Sequence, residues 1–361
     1  MAKKLRHGYT TGACATAATL GAALMLARQE SVEAVTLSLP AGDEVTFPLK
    51  EGRFTAERAS ACVIKDAGDD PDVTHGCELW AKVERLLDCE DVELVGGTGI
   101  GRVTRPGLAV AVGEWAINPV PRQMIIAAVR TVFPTEGVRV TLSIPDGEAR
   151  AQKTLNERLG IIGGLSLLGT TGVVTPVSHR AWTDTLDVAL DVAVASGAAT
   201  ILFSTGRNSE KAAQKLLQLD EVACVMMGDY VGHAVSAAAQ RGIPHLVLAA
   251  QFAKLVKIAC GHRQTHVRSS TLDLTMLATW GAGCGLDAVA TKRIELANTA
   301  REVLDQLGGE HPLIEAVVHR ARQALAPLAP ASRIDILLVG YDNRPPWSFA
   351  APRSAEGGVR G

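Results

Sequence analysis

The second half of the chain alternates short apolar runs with longer stretches whose apolar positions recur at helical spacing. Apolar runs bounded by turn residues predict strands buried on both faces, and their alternation with helices predicts a parallel sheet covered by helices. The predicted strands are 200–203, 223–226, 245–248 and 335–339, and the predicted helices are 183–195, 208–218, 231–241, 250–259, 270–280, 286–307 and 311–325.

The first half of the chain mixes the two periodicities. A threonine turn opens an Ala-rich stretch that predicts a helix over 10–27, and Pro119 lies at the start of a second predicted helix that ends at Val132. Strand-like runs outnumber these helices, which indicates an α+β arrangement. The predicted strands are 35–39, 45–47, 61–65, 91–95, 108–112 and 138–144.

These patterns predict an α/β protein with two domains. A length of 361 residues agrees with this number, at about 150 residues per domain. We expect a mixed α+β domain over residues 1–150 and an α/β domain with a parallel, helix-covered sheet over 151–345. The boundary between them is expected within 145–180. Residues 346–361 are rich in proline, glycine and arginine, which predicts a flexible tail.

Charge and composition exclude several classes of protein. Lys and Arg number 36 and Asp and Glu number 38, so the net charge is −2, and only 4% of residues are aromatic. A protein that neutralises phosphates needs an excess of positive charge, and one that stacks single-stranded bases needs more aromatic residues. We therefore expect no nucleic-acid partner. The apolar fraction of 47% excludes disorder over most of the chain.

Two uncharged segments imitate targeting signals. The first, 7–27, contains four threonines and few large apolar residues, so a turn and an Ala-rich helix explain it better than a signal peptide. The second, 159–178, has the length of a membrane span but contains five glycines and a proline, so we expect packed loops near a ligand and no membrane contact. The seven cysteines form no CxxC pair, which favours reduced cysteines in a cytoplasmic protein.

A glycine-rich segment, 96–101, follows a predicted strand. Glycine allows backbone N–H groups to approach a nucleotide or S-adenosylmethionine closely. The dinucleotide motif requires a helix next, but Arg102 to Gly107 and another strand-like run follow instead. We therefore expect a glycine-rich hairpin, and both a ligand-binding and a purely structural role stay open.

Four carboxylates and a histidine lie within residues 66–75. A divalent metal loop is one interpretation, although Cys77 stands where an EF-hand has its closing glutamate. Turn formation, with aspartates accepting hydrogen bonds from backbone N–H groups, is a second interpretation. The third is an active site, in which crowding raises the pKa of at least one carboxyl group.

Other polar segments stand at the ends of predicted elements. The loops 204–210 and 227–232 each follow a strand of the parallel sheet and open a helix, where cofactors bind in such sheets. The segment 114–122 enters a helix whose N–H groups and Arg122 suit an anion, although a plain connector is the simpler interpretation. The two histidines of 261–266 lack a third ligand nearby, so a zinc site is not expected.

The opening segment, from Leu5 to Ala18, resembles the first signature of the cobalt-precorrin-5B C(1)-methyltransferase family of cobalamin biosynthesis. The segments 65–76, 97–108, 113–125 and 153–172 resemble that family's next signatures, in the same order. The second half resembles the family more loosely. The family's Gly-Asn…Gly-Glu pattern corresponds here to Gly206, Asn208 and Glu210. Its His-Thr-His-type motif corresponds to Gln264 to His266, and its Ser-Glu pair corresponds to Ser178-His179.

The resemblance implies transfer of a methyl group from S-adenosylmethionine to carbon 1 of cobalt-precorrin-5B, giving cobalt-precorrin-6A. It implies a tetrapyrrole substrate whose carboxylate arms are clamped by arginines, and no protein-bound metal, because cobalt arrives inside the substrate. A homodimer is expected only because dimers are common, and hand-over to neighbouring pathway enzymes stays open. The alternatives are a tetrapyrrole carrier, another tetrapyrrole-modifying transferase, and a small-molecule kinase that uses 96–101.

The resemblance and the loop positions together give three sets of candidate residues. We expect the donor at the loops of the parallel sheet and the tetrapyrrole in a cleft between the domains. The acid–base or orienting candidates are Asp69, Asp70 and His75. The substrate-binding candidates are Thr10, Thr11, Arg102, Arg105, Asn118, Arg122, Thr170, Thr171 and His266. The donor-binding candidates are Gly97, Gly99, Gly101, Gly206, Asn208, Glu210, Gly228 and Asp229.

Overall fold

The computed structural model describes residues 5–87, 89–176, 178–341 and 346–350. It divides into two compact units, unit 1 (Met1–His179) and unit 2 (Arg180–Gly361). The division lies at the end of the expected interval 145–180 and not at residue 150. The reason is that short strands at Ile161–Ile162 and Val173–Val174 pair with strands of unit 1.

Unit 1 is an α+β structure, as its mixed periodicity predicts. Its helices are α1 (Thr11–Arg28), α2 (Pro119–Val132) and α3 (Gly147–Ala151). Its strands are β1 (Gly8–Tyr9), β2 (Ala34–Ser38), β3 (Glu44–Pro48), β4 (Glu51–Phe54), β5 (Arg58–Ile64), β6 (Glu78–Leu86), β7 (Val92–Gly96), β8 (Arg102–Val103), β9 (Gly137–Ser143), β10 (Ile161–Ile162) and β11 (Val173–Val174).

A five-stranded sheet with the order β4-β5-β6-β9-β7 forms the centre of unit 1. Its neighbours are antiparallel except β7 and β9, which are parallel. Helix α1 is buried over most of its length because small residues let the sheet and α2 approach it closely. Thr10 caps the helix by accepting a hydrogen bond from the N–H of Ala13 at 3.2 Å.

Unit 2 alternates helices and strands, as predicted. Its helices are α4 (His179–Ala195), α5 (Arg207–Leu217), α6 (Val231–Gln240), α7 (Phe252–Ala259), α8 (Leu274–Gly283), α9 (Ala288–Glu295), α10 (Ala300–Leu307) and α11 (Pro312–Leu325). Its strands are β12 (Thr200–Ser204), β13 (Cys224–Met226), β14 (His245–Gln251), β15 (Arg333–Val339) and β16 (Trp347–Phe349).

The sheet of unit 2 has the order β13-β12-β14-β15-β16, and only β16 is antiparallel to its neighbour. Buried apolar residues lie on both of its faces. The α/β class and the helix-covered parallel sheet are therefore confirmed. The carboxyl ends of β12, β13 and β14 lie at one edge, which positions the loops discussed below.

Several elements differ from the sequence-based prediction. Residues 108–112 form turns instead of a strand, since Pro106, Gly107 and Gly113 bend the chain on either side. The predicted helix 286–307 is two helices, because Thr299 caps a new one. Strand β6 was not predicted, although its burial alternates along most of its length. Strand β16 lies inside the predicted tail, of which residues 351–361 fall outside the described residues.

A helix that spans a membrane must be long and predominantly apolar, and the helices of the described residues can be judged by these two properties. None combines the length and the apolar character that spanning a membrane requires.

Candidate active site

The first segment of unit 1 lies between two other segments that the sequence analysis singled out. The N–H of Tyr9 donates to the carbonyl of Asp66 at 2.8 Å, and the N–H of Thr10 donates to the carbonyl of Gly172 at 3.0 Å. Strand β1 also pairs with β11. The opening segment, the aspartate loop and the 165–174 segment therefore meet in one part of unit 1.

Thr10 and Thr11 hold this junction together. Both are buried, with exposed fractions of 6% and 3%. The Oγ1 of Thr11 accepts a hydrogen bond from the N–H of Leu168 at 3.0 Å. The two threonines thus have structural partners, whereas Thr170 and Thr171 are exposed. The Oγ1 of Thr171 donates to the carbonyl of Val173 at 3.0 Å.

Two ion pairs organise the aspartate loop. Arg6 forms a bidentate pair with Asp66, in which the Nη2 to Oδ1 distance is 2.9 Å. Lys65 is 1% exposed and pairs with Asp72. The Oδ1 of Asp72 also accepts hydrogen bonds from the N–H and the Oγ1 of Thr74, at 2.7 and 2.6 Å. These contacts are typical of a structured turn.

The pKa values of these two carboxyl groups move in the direction opposite to that expected from crowding. The hydrogen-bonded guanidinium of Arg6 lowers the pKa of Asp66 to about 2. Burial alone would raise the pKa of Asp72, but the charge of Lys65 and the hydrogen bonds outweigh it, so this pKa is also lowered. Both pKa values are lowered because each carboxylate faces a cation.

The three acid–base candidates lie in the same loop. The Oδ2 of Asp69 accepts a hydrogen bond from the backbone N–H of Arg6 at 2.8 Å. The N–H of Ala67 donates to Nδ1 of His75 at 3.1 Å, which makes Nδ1 an acceptor, and 54% of the His75 side chain is exposed. The backbone N–H of Asp70 donates to the carbonyl of Ala67 at 3.4 Å.

The glycine-rich segment is a packed turn. The N–H of Gly97 donates to the carbonyl of Leu142 at 2.7 Å, and that of Gly101 donates to the carbonyl of Leu165 at 2.9 Å. Gly99 has φ +72°, and a Cβ there would lie 1.9 Å from the carbonyl oxygen of Ile144. These contacts favour the structural interpretation of Gly97, Gly99 and Gly101. The segment is not a hairpin, because the strand before it, β7, pairs with β9 and the strand after it, β8, pairs with β10.

The arginine candidates differ in what they contact. The Nη1 of Arg102 donates to the carbonyl of Gly113 at 2.8 Å, and its guanidinium lies 4.1 Å from the centre of the Trp115 ring. In the described part of the chain, the side chains of Arg105 and Arg122 make no hydrogen bond or ion pair. Arg122 is in the first turn of α2, whose N-cap, Asn118, makes no side-chain capping bond.

In unit 2, the loop after β12 borders an open hollow. The hollow has a volume of about 310 Å³ and is lined by residues 205–209 and Gln251, which ends β14. Asn208 is exposed in the first turn of α5. Glu210 is 6% exposed, and its Oε2 accepts a hydrogen bond from the Oγ of Ser204 at 3.4 Å.

Gly206 and Gly228 follow neighbouring strands but have different surroundings. Gly206 has an extended backbone with φ 171°, and a Cβ there would have no atom within 4 Å. The fold therefore does not require glycine at this position, and the space in front of it is open. Gly228 has φ +58°, and a Cβ there would lie 3.1 Å from the indole of Trp182. Backbone conformation and packing both explain this second glycine.

Asp229 joins the loop after β13 to the segment 261–266. Its Oδ1 accepts a hydrogen bond from the Oγ1 of Thr265 at 2.7 Å and also pairs with Lys254. Burial alone would raise the pKa of Asp229, but the hydrogen bonds from these two groups lower it. The Nδ1 of His266 accepts a hydrogen bond from the N–H of Arg268 at 3.2 Å. The structure thus brings the candidates Asp229 and His266 into one cluster.

Comparisons with known proteins cover both units. A family model described as CbiD matches residues 1–176, and one described as the CbiD C-terminal domain matches residues 264–348. A Geobacter sulfurreducens protein named cobalt-precorrin-5B C(1)-methyltransferase is 54% identical over 353 residues, which are 94% of this chain and 98% of that protein. This chain belongs to the CbiD family.

A second relative with the same name agrees with this membership. A CbiD relative of the same name from Geobacter sp. strain M21 is 52% identical over 345 residues, covering 94% of this chain and 97% of its own. A crystal structure of a cobalamin biosynthesis protein (cbiD) from Archaeoglobus fulgidus is 32% identical, covers 70% of this chain and 78% of its own, and has a TM-score of 0.38.

Sequence reasoning missed two lysines of this CbiD chain. Lys254 pairs with Asp229, and Lys257, which is 8% exposed, donates from Nζ to the carbonyls of Thr265 and Ser270 at 3.0 and 3.2 Å. Burial lowers the pKa of Lys257. The available signal was two lysines, three positions apart, in an otherwise apolar helix that directly follows a strand.

Metal ligation has no support among the described residues of the CbiD chain. They contain no group of three or more histidine, cysteine, aspartate or glutamate side chains placed to hold an ion. In the aspartate loop, the carboxylates of Asp66 and Asp72 face Arg6 and Lys65 instead. The turn interpretation explains this loop better than the metal interpretation.

Proposed function

We propose that this CbiD chain transfers a methyl group from S-adenosylmethionine to carbon 1 of cobalt-precorrin-5B, giving cobalt-precorrin-6A. The observation that carries the proposal is the relative from Geobacter sulfurreducens, which is 54% identical, covers 94% of this chain and bears that activity in its name. The structure supports it with a parallel sheet that has an open hollow at its carboxyl edge.

The methyl donor binds in front of Gly206. The open space at this glycine permits close approach of a ligand to the backbone, and Asn208 and Glu210 supply polar groups beside it. When bound, S-adenosylmethionine supplies a methyl group on a positively charged sulfur. Methyl transfer is an in-line displacement, so the protein acts mainly by aligning the donor with its acceptor. The buried carboxylate of Glu210 favours a positive charge nearby.

The substrate's acetate and propionate arms bind to arginines of unit 1. Arg105 and Arg122 suit this role because their guanidinium groups have no partner within the described residues, and a carboxylate would provide a bidentate one. Arg102 is held against Trp115, which fixes its direction before a ligand arrives. His75 is the residue of the aspartate loop that we propose for orienting the substrate, because 54% of its side chain is exposed.

The experiment that tests the function is direct. The purified protein is incubated anaerobically with labelled S-adenosylmethionine and cobalt-precorrin-5B, and the product is analysed by mass spectrometry and NMR. We expect the gain of one methyl group on carbon 1. Tight binding of the tetrapyrrole without methyl transfer, to this substrate and to its metal-free analogue, would contradict the proposal and support a carrier.

A further inference from the structure

Trp182 is an exposed aromatic residue in the first turns of α4. It is 43% exposed, whereas the other aromatic residues in the described part of the chain are buried or half-buried. Burial of a tryptophan contributes more apolar area than burial of most other residues, so leaving this one at the surface forgoes stability.

The position of Trp182 links it to the proposed donor site. Its Nε1 donates to the carbonyl of Met227 at 3.3 Å. The N–H of Met227 in turn donates to the carbonyl of Ser204 at 2.9 Å. Ser204 ends β12, two residues before Gly206. The indole is thus attached to the same strand ends that carry the donor loop.

The indole is held in one orientation. Besides the Nε1 hydrogen bond, it stacks against Tyr230, with ring centres 6.1 Å apart and planes inclined by 22°. Gly228 lies next to the ring, and any larger side chain there would displace it. Two charged groups near the ring face other charges: Arg180 lies 3.8 Å from Asp184, and Asp229 pairs with Lys254. What Trp182 offers to a ligand is therefore a fixed, uncharged aromatic surface.

We propose that Trp182 is the platform on which the adenine ring of the methyl donor stacks. The inference rests on the proposed function, because it assigns one part of the donor to a residue that is hydrogen-bonded through Met227 to Ser204, at the start of the Gly206 loop. A flat, uncharged purine matches an indole surface in size and in polarity. The carboxylate arms of a tetrapyrrole instead need cations, and Arg180, which is nearby, is already beside Asp184.

Binding of S-adenosylhomocysteine, measured by calorimetry, tests this inference. We expect Trp182→Ala to weaken binding by about tenfold or more, and Trp182→Phe, which keeps an aromatic ring, to weaken it by no more than about threefold. Val188→Ala changes an exposed apolar residue of the same helix and is the matched control, with unchanged affinity expected. Adenosine alone should show the same order of variants. A purely structural effect of Trp182, whose ring stacks against Tyr230, would instead lower the thermal unfolding temperature of Trp182→Ala together with its affinity.

A second measurement uses the unaltered protein. Saturating S-adenosylhomocysteine should protect the exposed fraction of tryptophan fluorescence from quenching by acrylamide. Unchanged quenching, or equal affinity of wild type and Trp182→Ala, would overturn the inference and leave the proposed function standing. A loss of tetrapyrrole affinity in Trp182→Ala with normal donor affinity would also overturn it, and would assign the indole to the substrate. Failure of the wild type to bind S-adenosylhomocysteine would instead count against the proposed function itself.

Discussion

The ammonium group of Lys65 is buried in unit 1 and pairs with the carboxylate of Asp72, seven residues later. The pair closes the aspartate loop against the end of β5. Removing only one member of a buried pair leaves the other charge without compensation, which costs more than the pair itself contributes.

Asp72→Asn should therefore destabilise the protein by roughly 3 kcal/mol, measured by urea unfolding. The double variant with Lys65→Met should regain part of this loss, because the buried charge is then absent. Asp43→Asn, at an exposed turn between β2 and β3, is the control and should change little. A small effect of Asp72→Asn alone would show that water reaches Lys65.

The lowered pKa of Asp66 predicts that the stability of the protein depends on pH. Its pKa is lowered to about 2 in the folded protein by the hydrogen-bonded Arg6, against about 3.9 in an unfolded chain. A lowered pKa means that the stabilisation is complete above the unfolded value and is lost as the pH falls toward 2. Asp66→Asn should thus be less stable than wild type at pH 7, and the difference in stability should shrink as the pH falls through 2 and vanish below it. A difference that persists there would contradict the ion-pair explanation.

Gly206 and Gly99 should respond to substitution in opposite ways. Gly206→Ala and Gly206→Val should fold normally, since the Cβ meets open space, but Gly206→Val should weaken donor binding by at least about tenfold. Gly99→Ala should lose roughly 3 kcal/mol of stability because its Cβ overlaps the carbonyl oxygen of Ile144. Thermal unfolding and calorimetry with S-adenosylhomocysteine check both. Normal donor affinity of a folded Gly206→Val variant would refute the donor site.

Asp229 acts by holding the segment that contains Thr265. Thr265→Val should lower the free energy of unfolding by about 1–2 kcal/mol, because it removes the 2.7 Å hydrogen bond to Asp229. Asp229→Ala should lower it further, because it also removes the partner of Lys254. Donor affinity should fall by a similar factor in the two variants. A much larger loss in Asp229→Ala alone would mean that this carboxylate touches the donor directly.

Arg105 and Arg122 should affect the substrate and not the donor. Arg105→Gln and Arg122→Gln should each raise the KM for cobalt-precorrin-5B by about tenfold, since each removes a charged hydrogen-bond donor to a carboxylate. The Kd for S-adenosylhomocysteine should stay at the wild-type value. Arg53→Gln, an exposed residue paired with Glu51, serves as the control. Unchanged KM in both variants would remove these arginines from the substrate site.

Local periodicity was sufficient for much of the secondary structure. Helix α2 begins and ends where Pro119 and the apolar spacing predict, and the apolar runs of unit 2 are the strands of its parallel sheet. Strand β6 was missed although Leu79, Ala81 and Val83 face inward at alternate positions, a pattern that is itself typical of a strand. Residues 108–112 look like a strand in isolation but pair with no neighbour.

The sequence by itself determined the fold class, the position of the loops at the strand ends and the resemblance to the CbiD family, because these depend on local spacing and on ordered motifs. Only the tertiary structure decided which charges meet. Arg6 and Lys65 neutralise Asp66 and Asp72, and Lys254 and Thr265 bind Asp229 from elsewhere in the chain. Except for Lys65 and Asp72, which are seven residues apart, these partners come together by chain folding over separations of 25 to 60 residues, on which the spacing of neighbouring residues carries no information.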